Sequence, residues 1–161
     1  MTKASSAGLL LHRVNGEGVL QVLLVHMGGP FWRNKDHRAW SVPKGEYRPG
    51  EDPLEVARRE FTEELGHPPP HGDWEFLGEV RQAGGKVVTV WALEADFDTT
   101  SVSSNTFSME WPRGSGRIQE FPEVDRADWH DSEAARDKLV AGQVALVDLL
   151  VSKVGLPRSS G

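Results

Sequence analysis

The sequence predicts an α/β (α+β) fold with a mixed β-sheet, and three observations support this class. Apolar, β-rich segments over residues 7–14 and 19–26 flank the sequence Asn-Gly-Glu-Gly, which is typical of a β-hairpin turn. Residues 52–65 carry the strongest helix signals of the chain. Further β-rich segments follow that helix, so strands flank it in sequence and both element types are expected to share one core.

The predicted helix has recognisable ends. Asp52 is a suitable N-cap residue, and Pro53 fits the first helical position, where the backbone N–H has no helical partner to lose. Gly66 stands where a left-handed residue ends a helix, and the prolines at 68–70 prevent continuation. At about 100° per residue, one stripe faces the core and consists of Leu54, Ala57, Phe61 and Leu65.

The other elements follow from turn and periodicity signals. Residues 27–40 are predicted to form an irregular loop, and the prolines and glycines of residues 41–51 rule out a helix there. The whole chain, residues 1–161, is expected to form one domain with a loose tail from about residue 156. Strands are predicted over residues 74–82, 86–93 and 106–111, a turn over 112–116, and helices over 132–140 and 144–154.

The composition excludes several classes of function. The 161 residues include no cysteine, which rules out disulfides, thiolate zinc sites and cysteine nucleophiles. The 24 acidic and 18 basic residues give a formal net charge of -6, which disfavours a long nucleic acid as partner. No apolar run approaches the ~20 residues that cross a bilayer, so we expect a soluble cytoplasmic protein with no membrane partner.

Three glutamates of the predicted helix form a candidate metal site. Glu60, Glu63 and Glu64 stand at i, i+3 and i+4, beside the apolar stripe. A glutamate-rich helix face is ordinarily a solvated surface, but like charges at this spacing destabilise a helix, and no lysine follows to offset them. Clustered oxygen ligands suit Mg²⁺ or Mn²⁺, which often take further ligands from substrate phosphates. The sequence therefore predicts a metal–phosphate site.

The segment from Gly45 to Gly66 resembles the Nudix box of the Nudix hydrolase family. His67 departs from the aliphatic residue that the family pattern has at the next position, which affects packing at the helix end and not the ligands. The elements around the box are similar to the Nudix α/β/α sandwich. The seven fixed positions of the box are met by Gly45, Glu51, Arg59, Glu60, Glu63, Glu64 and Gly66.

The resemblance implies a role for each acid of the box. Glu60, Glu63 and Glu64, with the carbonyl of Lys44, would hold the divalent metals. Either Glu60 or Glu63 would act as the general base. A downstream acid is common in the family, and the resemblance points to Glu123, ahead of a tryptophan in a strand before a C-terminal helix. The alternatives are the neighbouring Glu120 and an ordinary loop acid without a ligand role.

The resemblance also implies structural roles. Glu51 and Arg59 would form an ion pair that braces the loop against the helix, so Arg59 would support the catalytic carboxylates. Gly45 would let the backbone turn sharply, and Gly66 would end the helix.

Basic and aromatic residues near the box are candidates for substrate binding. The basic ones could pair with phosphates as a group, although each alone is as readily explained as a solvated loop residue. Trp32 and Trp111 are candidates for stacking on a nucleobase, with core packing as the alternative. The basic rim consists of Arg33, Lys35, Arg38, Lys44 and Arg48.

The resemblance implies hydrolysis of a nucleoside diphosphate linked to another moiety. Short segments around residues 7–13 and 40–52 look like the diadenosine polyphosphate hydrolase branch, which favours a dinucleoside polyphosphate or a nucleoside triphosphate. An ADP-ribose or ADP-sugar pyrophosphatase is an alternative. A Nudix-fold module that binds or senses a nucleotide without cleaving it is another, although the complete box disfavours it. The oligomeric state, monomer or homodimer, stays open.

Overall fold

A computed structural model describes residues 5–155 of the chain, and the predicted tail lies outside these residues. Within them no helix is long and apolar enough to cross a membrane. The strands are β1 Ser5–Val14, β2 Leu20–Met27, β3 Trp40–Ser41, β4 Lys44–Tyr47, β5 Glu75–Arg81, β6 Val87–Glu94, β7 Thr106–Glu110, β8 Ile118–Pro122 and β9 Val124–Asp131. The helices are α1 Pro53–Leu65, α2 Ser132–Lys138 and α3 Ala145–Val154, with short 3₁₀ turns at Ala83–Gly85 and Ala141–Gln143.

Seven strands form one mixed sheet in the order β3-β2-β1-β6-β5, with β4 paired to β1 and β9 to β2. The pair β1–β6 is parallel, and the other pairs are antiparallel. Strands β7 and β8 form a separate two-stranded sheet. We call this unit the β7–β8 hairpin, and it lies in the chain between the main sheet's β6 and β9.

The central strand β1 is buried on both faces because alternate side chains point to opposite sides of a sheet. Leu9 and Leu11 pack with Phe61 of α1 in one core cluster. Leu10 packs with Leu146 and the rest of the α3 face in the other cluster. The sheet is thus covered by α1 on one face and by α2 and α3 on the other, which confirms the predicted α/β/α sandwich.

Local signals predicted α1 well, with two differences. Asp52 occupies the N-cap position, but its side chain makes no capping hydrogen bond. Val56 is buried, whereas Leu54, which was expected in the core stripe, is only partly buried. The helix packs on β4 as well as β1, so its buried arc is wider than one sheet contact requires.

Strand β3 begins at the last residue of the predicted loop, β4 lies where the sequence excluded only a helix, and no strand was predicted at β8. Each is short and gains its hydrogen bonds from a partner strand: β3 from β2, β4 from β1, and β8 from β7. Short strands of this kind give only a weak periodicity signal, because their stability comes from the partner strand.

Candidate active site

Glu60, Glu63 and Glu64 lie along the edge of the buried face of α1. Phe61 and Leu65 are 0% exposed, and their packing fixes the rotation of the helix about its axis. The three glutamates are partly buried as a consequence. The close spacing predicted from the sequence is therefore realised at the boundary between core and solvent.

Strand β4 lies directly against one of these glutamates. A Cβ atom at Gly45 would stand 2.1 Å from Cδ and 2.2 Å from Cγ of Glu60. A sharp turn was the expected reason for glycine here. Gly45 instead lies in a strand paired with Ala7, and its φ is not positive. The glycine is needed for close approach: it lets backbone line the Glu60 carboxylate.

The carboxyl groups of the cluster are electrostatically strained. Burial, strengthened by the charge of Glu63, raises the pKa of Glu60 to about 7. Burial also raises the pKa of Glu64 to about 8; the Lys44 ammonium opposes the shift and the charge of Glu123 adds to it. The pKa of Glu123 is raised by burial and by Glu63, against the influence of Lys44. These groups, which belong to α1, β4 and the turn between β8 and β9, therefore interact electrostatically.

Arg59 lies among three carboxylates. Its guanidinium nitrogens are 3.8 Å from Oε2 of Glu51, 3.9 Å from Oε1 of Glu60 and 3.9 Å from Oε1 of Glu63. These are loose ion pairs on a side chain that is 52% exposed. Arg59 therefore links the box loop, through Glu51, to two acids of the helix.

Glu123 is joined to the helix by a series of backbone hydrogen bonds. The N–H of Asn105 donates to the carbonyl of Glu63 at 2.8 Å, and the N–H of Glu123 donates to the carbonyl of Asn105 at 2.9 Å. The N–H of Gly28 in turn donates to the carbonyl of Glu123 at 2.8 Å. We call these three bonds the backbone relay. It fixes Glu123 relative to α1 at the root of the β7–β8 hairpin.

The alternative fourth acid, Glu120, has a different environment. It is exposed, and its Oε1 accepts a hydrogen bond of 2.7 Å from the Thr106 hydroxyl on the outer face of the β7–β8 hairpin. The geometry therefore favours Glu123 over Glu120.

The donor set fits a hard divalent cation. Among residues 5–155 no three acidic or histidine side chains already stand in the arrangement of a bound-ion site. However, Glu60, Glu64 and Glu123 combine partial burial with raised pKa values, and a bound cation would relieve the repulsion among their charged forms. Oxygen ligands without sulfur are those that Mg²⁺ and Mn²⁺ take.

The predicted basic rim does not form one surface. Lys44 adjoins the carboxylate cluster, where its charge acts on Glu64 and Glu123. Arg48 lies in the box loop, and its backbone N–H donates to Oε1 of Glu51 at 2.8 Å. The Arg38 guanidinium donates to carbonyl oxygens at the end of α2, including that of Leu139 at 3.2 Å. Arg38 therefore holds the helix end instead of standing free in the loop.

The aromatic candidates also separate. Trp32, Arg33 and Lys35 share the loop after β2, where Trp32 is partly buried against the core and the other two are exposed. Trp111 lies at the far end of the β7–β8 hairpin, where its carbonyl accepts a hydrogen bond from Gln119. Phe31, which immediately precedes Trp32 and is 58% exposed, was not predicted as a site residue. The sequence signal at this place was the preceding segment Gly28-Gly29-Pro30, which indicates a loop with a defined conformation.

A mixed sheet lies between helices, and the glutamates of α1 lie against Gly45 of β4. This arrangement is typical of Nudix-type hydrolases, which act on phosphoric anhydrides. The chain belongs to the Nudix family, since the family's NUDIX domain model matches residues 2–150. The chain is accordingly a pyrophosphohydrolase. Enzymes of this family are generally dependent on divalent metals.

Solved structures share the fold over nearly the full chain. An Ap4A hydrolase of C. elegans is 25% identical, with a TM-score of 0.58, and the match covers 94% of this chain and 97% of that one. The NUDIX domain of Shewanella oneidensis NrtR, solved with ADP ribose, is 15% identical with a TM-score of 0.63, covering 96% and 90%. The E. coli ORF135 protein is 17% identical with a TM-score of 0.61, covering 99% and 96%. No curated protein sequence gives a significant match.

Proposed function

We propose that the protein cleaves a nucleoside diphosphate linked to another moiety, in a reaction that depends on Mg²⁺ or Mn²⁺. The observation that carries this proposal is the grouping of Glu60, Glu64 and Glu123, whose carboxyl groups are partly buried and close enough that their charges raise one another's pKa. A pyrophosphate is the anion that such a cation would attract. The net charge of -6 is thereby reconciled with an anionic substrate, because the acids are concentrated where they recruit metal.

Glu60, Glu63, Glu64 and Glu123, with the carbonyl of Lys44, are the proposed metal ligands. A divalent cation held there would neutralise pyrophosphate charge and lower the pKa of a water. Glu60 or Glu63 would be the residue that accepts the proton of the attacking water. The Gly45 backbone limits the positions open to the Glu60 carboxylate, and the Arg59 guanidinium lies near both carboxylates.

A dinucleoside polyphosphate is the first candidate substrate. Two observations support it: the short sequence likeness to the diadenosine polyphosphate hydrolase branch, and the structural likeness to the C. elegans Ap4A hydrolase over nearly both chains. A nucleoside triphosphate shares the same anhydride chemistry. ADP-ribose is the second candidate, because the NrtR domain was solved with ADP ribose and has the same fold.

The proposal is tested by offering the purified protein diadenosine tetraphosphate, ATP and ADP-ribose, each with Mg²⁺ and with Mn²⁺. Chromatography of the products identifies the bond that is cleaved. Glu63→Gln is the matched inactive variant and is expected to lose turnover while keeping its circular dichroism spectrum. Binding of these nucleotides without cleavage of any of them would overturn the proposal in favour of a regulatory module.

A further inference from the structure

The loop after β2 presents an aromatic ring and a cation together. Phe31 is 58% exposed, and its ring packs edge-on against Trp32 at a centroid distance of 5.0 Å. The ammonium Nζ of Lys35 lies 3.6 Å from the Phe31 centroid and 5.4 Å from that of Trp32. None of the ion pairs within residues 5–155 involves Lys35. The Lys35 ammonium therefore covers one face of the Phe31 ring and has no carboxylate partner there, while the remaining exposed part of the ring is open to a ligand.

This loop is fixed at both ends. At its start, the N–H of Gly28 donates to the carbonyl of Glu123 at 2.8 Å. At its end, Nε2 of His26 lies 2.6 Å from the carbonyl of Lys35, and Nδ1 of the same ring lies 2.8 Å from Oδ1 of Asp125. His26 is fully buried. The backbone that carries Phe31 and Lys35 is thus tied to the fourth acid at one end and to the sheet at the other.

The β7–β8 hairpin holds the same loop from the other side. A Cβ at Gly28 would lie 2.0 Å from the Pro122 carbonyl oxygen, and one at Gly29 would lie 2.8 Å from Cζ of Phe107. Because these two residues have no side chain, the loop backbone can contact the hairpin directly. Phe31 is three residues beyond Gly28, whose N–H contacts Glu123. The backbone of Phe31 therefore lies at most about 11 Å from that of Gly28.

We propose that Phe31 and Lys35 form a recognition pair for the nucleoside end of the substrate. The exposed face of Phe31 stacks on a nucleobase, and the Lys35 ammonium pairs with a neighbouring phosphate that the metal cluster does not hold. This inference rests on the proposed function and makes it more specific: it requires an aromatic base close to the cleaved diphosphate. Stacking on an aromatic side chain changes affinity by roughly 5- to 150-fold per base.

Two non-hydrolysable probes separate the roles of ring and ammonium. Isothermal titration with α,β-methylene-ADP measures base and phosphate together, and methylenediphosphonate measures the phosphate part alone, both with Mg²⁺. Phe31→Leu is expected to lower the affinity for methylene-ADP by about 5- to 150-fold and to leave the affinity for methylenediphosphonate unchanged. Lys35→Met is expected to lower the affinity for both probes. Phe31→Trp is expected to keep the affinity for methylene-ADP that Phe31→Leu loses.

The matched control is Phe76→Leu. Phe76 is 57% exposed, but it lies on the edge strand β5, at the opposite side of the sheet from β2. It should bind both probes as the unmodified protein does. An equal loss of both probes in Phe31→Leu, no loss of either, or failure of the unmodified protein to bind methylene-ADP would each overturn the recognition pair.

Failure of the pair and failure of the proposed function have different signatures. If the protein cleaves nucleotides but Phe31→Leu binds methylene-ADP normally, the pair is wrong and the hydrolase proposal stands. If the protein binds methylene-ADP through Phe31 but cleaves nothing, the pair stands and the catalytic proposal is wrong.

Discussion

Gly45 and Glu60 approach so closely that no methyl group fits between them, since a Cβ at position 45 would lie 2.1 Å from Cδ of Glu60. The obstructed atoms belong to a carboxylate proposed to bind metal, so a side chain at position 45 must displace that carboxylate. The contact joins β4 to α1 and makes the shape of the site dependent on a residue that itself carries no chemistry.

Replacing Gly45 with alanine should therefore damage catalysis more than folding. A misplacement of about 1 Å in a catalytic group costs on the order of 100-fold in rate, and we expect a loss of turnover of that size for Gly45→Ala. Gly16→Ala is the control, because no heavy atom lies within 4 Å of a Cβ at Gly16. Steady-state kinetics on the best substrate test this, and normal turnover of Gly45→Ala would refute the role assigned to the contact.

Neutralising Glu64 should separate stability from activity. Burial raises the pKa of this carboxyl to about 8, so its charged form is disfavoured in the metal-free fold. Glu64→Gln is expected to lower turnover by about 100-fold or more, as expected when a metal site loses a charged ligand. Its melting temperature without metal, measured above pH 8, should equal or exceed that of the unmodified protein. Glu55→Gln, an exposed substitution on the same helix, should change neither quantity.

The metal-free protein should lose stability as the pH rises. The folded pKa values of Glu60, about 7, and Glu64, about 8, lie above the ordinary carboxyl value of 4.5. Between these limits the folded state binds more protons than the unfolded state, so the free energy of unfolding falls with rising pH, by at most about 1.4 kcal/mol per pH unit and proton.

Urea denaturation in EDTA, from about pH 5 to pH 8, measures this fall. Metal binding displaces those protons, so Mg²⁺ should bind more tightly and stabilise more at the upper end of the range. A stability in EDTA that increases steadily over the same interval would contradict the environment described for Glu60 and Glu64.

Arg59 should matter for turnover and little for folding. Its ion pairs are 3.8–3.9 Å long on a half-exposed side chain, and pairs of this kind contribute at most about 1 kcal/mol. Groups that orient metal ligands typically affect metal affinity or activity by about 10- to 100-fold, so we expect that loss for Arg59→Ala.

Lys86→Ala is the comparison for Arg59→Ala, because Lys86 pairs with Glu46 at 3.9 Å and is also well exposed. Denaturation midpoints should shift little in both variants, and kcat should fall only for Arg59→Ala. Equal kcat values in the two would mean that Arg59 does not orient the helix acids.

Helix α1 and its acids were predictable because their signals are local. Pro53 and Gly66 mark the helix ends in the sequence, and the helical period alone places Glu60 beside the buried Phe61. The Glu51–Arg59 contact followed from the family resemblance, since neither residue type predicts its partner at that separation.

The remaining features depend on contacts between distant segments. Gly45 was expected to serve a turn, because nothing in its neighbourhood shows that Glu60 will lie against it. Backbone hydrogen bonds link Glu63 through Asn105 to Glu123. These residues are far apart in the sequence, and turn and periodicity signals describe only neighbouring residues. Phe31 was not predicted for the same reason, because its exposure and its contact with Lys35 depend on how the loop after β2 folds.

The backbone relay has a consequence for how this site can change over time. Its three bonds are made by main-chain atoms of Glu63, Asn105, Glu123 and Gly28, and none depends on a side chain. Side chains along residues 106–121 can therefore be exchanged without loosening the acid at position 123. Mutation can thus alter the exposed surface of the hairpin while the proposed metal site keeps its shape.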